Sequence, residues 1–88
     1  MPPFVNSVDP KSGDPGDRFS VEISGDVFSQ VTRCNFGSEI NVERFRIVDD
    51  GTIFAKIAIA NDARSGTWDV ILTDPSGDGT HNDGFEIL

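Results

Sequence analysis

The chain is poor in the residues from which reaction centres and covalent cross-links are built. It has one cysteine, Cys34, one histidine, His81, and no tyrosine. A single cysteine excludes an internal disulfide and a cysteine-rich metal cage. Nothing in the spacing of Cys34 and His81 brings a nucleophile against a general base. We therefore predict that the protein is not an enzyme and that Cys34 is a small hydrophobic residue facing the interior beside Phe36.

Positive charge is also scarce. Seven Lys and Arg residues stand against 15 Asp and Glu residues, which gives a net charge of −8 over 88 residues. Since Lys and Arg drive binding to a phosphate backbone, we expect no nucleic acid partner. No apolar run reaches the roughly 20 residues of a membrane helix, so we expect no membrane insertion, and residues 1–4 lack the segments of a signal peptide. A chain of this size is one domain, expected to be monomeric when isolated and to come from a larger multidomain protein.

Glycine and proline divide the rest of the chain into short runs. Nine glycines and five prolines fall in clusters, as in an all-β sandwich. Between the clusters apolar residues alternate, as at Phe19, Val21 and Ile23, which places them on one face of a strand. In the run 52–60 the opposite face carries Phe54, and we expect that face to be partly covered too. The alternation predicts strands over residues 4–8, 18–24, 31–36, 39–48, 52–60, 66–73 and 84–88.

Three details refine this prediction. The alternation changes phase between Val42 and Phe45, which indicates a β-bulge near Arg44. Two prolines precede the first strand, which favours an irregular edge strand there. Trp68 is in phase with Val70 and is predicted to face the core. About seven short antiparallel strands in a chain of this length indicate an immunoglobulin-like two-sheet sandwich.

One polar segment has the spacing of a calcium loop. Oxygen-bearing side chains occupy alternate positions, and Gly79 follows the third of them. These positions are Asp74, Ser76, Asp78, Thr80 and Asn82. Phe85 stands where a closing Glu would be expected, so an ordinary hairpin loop is the alternative. The candidate metal ligands are Asp74, Asp78 and Asn82, with calcium as the ion.

The few positive charges fall on outward positions of consecutive predicted strands. They are Arg33, Arg44, Arg46 and Lys56. Together they predict a basic stripe that a partner surface could use. The alternative is ordinary pairing with neighbouring acids such as Glu43, which adds little stability.

A series of motifs covers nearly the whole chain and resembles a known family. The first half carries Pro3-x-Val5-x-Ser7-Val8-x-Pro10-x-Ser12-Gly13, Gly16-Asp17-x-Phe19-x-Val21-x-Ile23-x-Gly25-x-x-Phe28, and Val31 with Asn35-Phe36-Gly37. The second half carries Thr52-Ile53-x-Ala55-x-Ile57, Ala63-x-x-Gly66-x-Trp68-Asp69-Val70-x-Leu72-Thr73, Ser76-Gly77 and Phe85. In order and spacing the series resembles an IPT/TIG domain of the bacterial type, an immunoglobulin-like early-set module.

This resemblance implies a function without chemistry. It implies a structural or interaction module, a spacer or a protein-binding domain, within a larger secreted or cell-surface protein. The partners would be neighbouring domains of the same chain or another protein, and the location extracellular. Members that contact DNA use basic loops, whereas the loops here are acidic, so that role is not carried over. A calcium-binding or carbohydrate-binding accessory module is the alternative.

Overall fold

The computed structural model describes residues 2–88, which form eight β-strands. The strands are β1 (Phe4–Asp9), β2 (Ser12–Gly13), β3 (Arg18–Asp26), β4 (Arg33–Asn35), β5 (Ile40–Asp49), β6 (Thr52–Ile59), β7 (Gly66–Asp74) and β8 (Gly77–Ile87). They make a first sheet of order β1-β3-β6-β5 and a second of order β2-β8-β7-β4. The all-β, two-sheet prediction is confirmed. In residues 2–88, no helix has the length and apolar character to cross a bilayer.

The core lies between the two sheets and is built from the inward positions of both. Its fully buried side chains include Val21 and Ile53 from the first sheet and Leu72 from the second. The ring of Phe85 packs edge-on against Phe36 at 5.8 Å between centroids. The apolar alternation read from the sequence thus forms the inner faces of a β-sandwich.

Three strands differ from the prediction, and the first of them is β4, which spans only Arg33–Asn35 of the predicted 31–36. The two-residue β2 pairs in parallel with the end of β8, so there are eight strands and not all are antiparallel. A segment of two residues has no periodicity from which to predict it. Strand β8 begins at Gly77 instead of residue 84, because residues 77–81 pair with β7 despite their polar, glycine-rich composition.

The predicted irregularities are present. Strand β1 is an edge strand, and its register shifts between Val5 and Ser7. The β5 register shifts between Val42 and Arg44, where the phase change predicted a bulge. A further shift follows Trp68, which is half-buried against the core instead of fully inside it.

The first and last described residues lie at opposite ends of the molecule. Pro2 lies beside Gly77, at the start of β8. At the far end of β8 the Leu88 N–H donates to the Gly13 carbonyl at 2.9 Å. Gly77 and Ile87, the ends of β8, pair with Asp74 and Gly66, so they lie about 26 Å apart, the length of the nine-residue β7 at a rise of 3.3 Å per residue. This separation is most of the longest dimension of the molecule, 36 Å.

Candidate binding face

The outer side of the first sheet brings three positive charges together around an aromatic ring. Along β6, Ile53, Ala55 and Ile57 are buried, so Phe54 and Lys56 between them point outward. Residues directly opposite in an antiparallel pair share a face. The register places Arg44 opposite Lys56 and Arg46 opposite Phe54. We call Arg44, Arg46, Phe54 and Lys56 the cationic face.

The three cations of this face form no ion pair within the described chain. The ion pairs of residues 2–88 join Arg18 to Glu43 at 2.7 Å and Arg64 to Glu39 at 3.8 Å. No carboxylate oxygen of this segment lies within 4.0 Å of the three cations of the face. Pairing with Glu43, the alternative considered from the sequence, is therefore wrong, since Arg18 takes that carboxylate. Two like charges, those of Arg44 and Lys56, face each other directly, an arrangement that destabilises a sheet.

The face is open to solvent. It lines a cleft of about 480 Å³ together with Ser20 and Phe45. Phe54 is 43% exposed, whereas Thr52, Lys56 and Ala58 on the same side of β6 are half-buried, so that side is partly covered, as expected. The alternation had placed Phe54 outward beside Lys56, and an aromatic residue between cations was the signal that could have identified the face. Single exposed aromatics are common on proteins, and it is the surrounding charge that distinguishes this one.

Arg33 does not belong to the face. It is exposed on β4, opposite Thr73, in the second sheet. Strands β4 and β5 follow each other in the chain but belong to different sheets. The predicted stripe of four charges is therefore a cluster of three, because alternation along a strand does not reveal which sheet the strand joins.

The three candidate calcium ligands are not brought together. The Asp74 side chain is buried, and its Oδ1 accepts N–H bonds from Ser76 at 2.8 Å and Gly77 at 3.2 Å. Asp78 and Asn82 are four residues apart on β8, about 13 Å along an extended strand. Calcium holds its oxygens at roughly 2.3–2.6 Å, so these two cannot share one ion. The alternating oxygens are divided between the end of β7 at Asp74, the turn at Ser76 and the strand β8, so they do not form one loop.

The hydrogen bonds and the acidic neighbours of these residues do not bring them together either. Asp78 Oδ1 accepts a hydrogen bond from the Thr73 hydroxyl at 2.8 Å, across the β7–β8 ladder. Within residues 2–88, no three side chains of the His, Cys, Asp or Glu type gather in a metal-binding group. Calcium binding here remains a prediction from spacing alone.

Cys34 and His81 lie on strands that are separated by β7. Two strand spacings, roughly 9–10 Å, therefore lie between their backbones, and no hydrogen bond joins the two residues. Cys34 packs against the core as predicted, and burial raises the pKa of its thiol from 9.0 to about 12. A thiol with this pKa is protonated at neutral pH, whereas a nucleophile must be a thiolate.

Comparisons with known proteins give no match: neither a protein-family model nor a curated protein matches this chain. The IPT/TIG resemblance therefore rests on the residues of the chain alone.

Proposed function

We propose that the chain is a non-catalytic spacer module that holds neighbouring parts of a larger protein apart in line. The observation that carries this proposal is the position of residues 2 and 88 at opposite ends of a body 36 Å long. A polypeptide that enters at one end and leaves at the other gains most of the length of the sandwich.

Both ends of the described chain are attached to the body, which makes such a spacer stiff. At one end the Pro3 backbone lies against Gly79, so closely that a Cβ at position 79 would collide with it. At the other end Leu88 is bonded to Gly13, and its carbonyl accepts a hydrogen bond from the Ser65 hydroxyl at 3.1 Å. Terminal residues that are tied down in this way transmit the orientation of the domain to whatever follows.

The finer parts of the proposal come from the motif series. We assign the sandwich to the immunoglobulin-like early-set class, of IPT/TIG type, with β2 as an additional short strand. Its partners are then neighbouring domains of the same chain or another protein, and its location is extracellular or at the cell surface. The protonated Cys34 thiol and its separation from His81 support a role without catalysis.

Two copies of the chain joined directly, Leu88 to Pro2, test the spacer role. Small-angle X-ray scattering should show a maximum dimension that is longer by about 36 Å than that of one copy, with an unchanged cross-section. A matched tandem with a flexible glycine-serine linker should instead give a broad distribution of lengths. A directly joined tandem that is no longer than one copy, with both copies folded by thermal melting, would refute the proposal.

A further inference from the structure

We propose that β5 is a docking edge for an extended acidic peptide, which adds to the first sheet as a fifth strand. Its alternate carboxylates would pair with Arg44 and Arg46. This inference goes beyond the spacer role and does not depend on it, since it rests on the cationic face and on the edge beside that face.

The edge of β5 is available for pairing. Within residues 2–88, β5 is the last strand of its sheet and pairs only with β6. Its register shifts between Val42 and Arg44 and again between Ile47 and Asp49, and residues 44–47 between these bulges keep a regular ladder. An edge strand presents unpaired N–H and C=O groups, and adding a strand to such an edge is a common mode of peptide recognition.

The positive charges of β5 favour acidic side chains on the added strand. Arg44 and Arg46 are two residues apart on one face of β5, roughly 6.6–6.8 Å along the strand. A peptide with carboxylates at every second position repeats at the same distance. Directly opposite side chains in a ladder lie about 4.5–5.5 Å apart at Cβ, close enough for ion pairs. Lys56, one strand further in, adds to the positive potential.

The core-facing side of β5 favours apolar side chains at the remaining positions of the peptide. Phe45 and Ile47 point toward the core side of the sheet but are only half-buried, because no strand lies beyond β5 in the described chain. Apolar side chains at the alternate positions of an added strand would cover them. The predicted ligand is therefore an extended peptide in which acidic and apolar residues alternate.

The charges also argue against other occupants. A second copy paired edge to edge would bring two sets of Arg44 and Arg46 together, and like charges opposite each other destabilise a ladder. A nucleic acid has no peptide backbone to pair with the edge of β5 and no apolar side chains to cover Phe45 and Ile47. Of the nearby acids, Glu43 is paired with Arg18, and Glu22 lies on β3, on the far side of β6 from the edge.

Titration with an N-acetylated octapeptide of alternating glutamate and valine tests the proposal. In two-dimensional NMR spectra of the amides, the largest shifts should occur at residues 44–47, saturate, and weaken as salt is added. A lysine-valine octapeptide should shift none of them. Heparin or a DNA oligonucleotide that binds these residues more tightly than the acidic peptide would overturn the assignment.

Two peptide variants test strand addition itself. In an extended strand the N–H groups of alternate residues point to opposite edges. Of two octapeptides N-methylated either at all glutamates or at all valines, only one should lose binding, by roughly tenfold or more. Equal affinities would show that the peptide is held by charge alone and would refute the proposal.

Variants of the protein test the assigned residues. The double variant Arg44→Glu, Arg46→Glu should weaken binding by roughly tenfold or more, since each favourable pair becomes a repulsive one. Arg33→Glu, which makes the same substitution at one position of β4, the edge strand of the second sheet, should alter the affinity by less than about twofold. If the double variant fails to fold, the single variant Lys56→Glu replaces it and should weaken binding several-fold. Wild-type affinity in either variant, when that variant is folded, would contradict the proposal.

Discussion

At the scale of single residues, burial in the aromatic core distinguishes the side chains that determine stability from those that do not. Phe85 is fully buried and its ring packs against Phe36 and Phe19, whereas Phe54 is exposed on the outer face. We predict that Phe85→Ala lowers the free energy of unfolding by about 3–5 kcal/mol. Phe54→Ala should change it by less than about 0.5 kcal/mol. Urea denaturation measures both, and equal effects would mean that the inner face is wrongly assigned.

Cys34 gives the protein a specific loss of stability at high pH. Burial raises the pKa of its thiol from 9.0 to about 12 in the folded state. Below pH 9 the thiol is protonated in both states, so pH has no effect through this group. Between pH 9 and 12 the unfolded chain releases the proton while the folded chain keeps it, and stability therefore falls as pH rises.

Comparison with Cys34→Ala isolates this contribution, because alanine has no proton to release. The free energy of unfolding of the wild type, relative to the variant, should fall by at most about 1.4 kcal/mol per pH unit above pH 9. Urea denaturation at about pH 8 and about pH 10.5 measures the change. A difference between the two proteins that is the same at both pH values would show that the folded thiol ionises with its ordinary pKa.

At the scale of secondary structure elements, the sequence predicted what is local and missed what depends on pairing. The runs at β3, β6 and β7 were predicted to within two residues, because their alternation follows from a buried and an exposed face. The start of β8 was missed, since residues 77–81 lack apolar alternation and are strand only because they pair with β7. The sheet that each strand joins is equally non-local, which is why Arg33 was grouped with the cationic face.

The turn between β7 and β8 shows how one side chain holds such a hairpin. Asp74 Oδ1 accepts the N–H groups of Ser76 and Gly77 from a buried position. We predict that Asp74→Ala lowers the free energy of unfolding by about 1–2 kcal/mol, because both N–H groups lose this acceptor. Asp74→Asn retains an oxygen at the same place and should recover most of the loss. If Asn and Ala destabilise equally in thermal melts, the turn does not depend on this acceptor.

At the scale of the whole molecule, charge opposes folding over distances that salt can change. The net charge is −8 on a body of 36 × 20 × 18 Å. The Debye length is about 30 Å in 0.01 M salt, so charges across the whole molecule repel, and about 8 Å at 0.15 M, where only neighbours interact. Salt also weakens the attraction between opposite charges. This loss is small, because the ion pairs within residues 2–88 are two, Arg18–Glu43 and Arg64–Glu39.

We therefore expect sodium chloride to stabilise the protein. Raising its concentration from about 0.01 M to about 0.15 M should increase the free energy of unfolding by ~1 kcal/mol, or the melting temperature by about 4–8 °C. The triple variant Asp9→Asn, Asp62→Asn, Glu86→Gln removes three exposed carboxylates and takes the net charge from −8 to −5, so its response should be smaller. Lys11→Gln, which makes the charge −9, should respond more strongly than the wild type. A melting temperature that falls with salt, or the same response in all three proteins, would show that paired charges outweigh the repulsion of the unpaired ones.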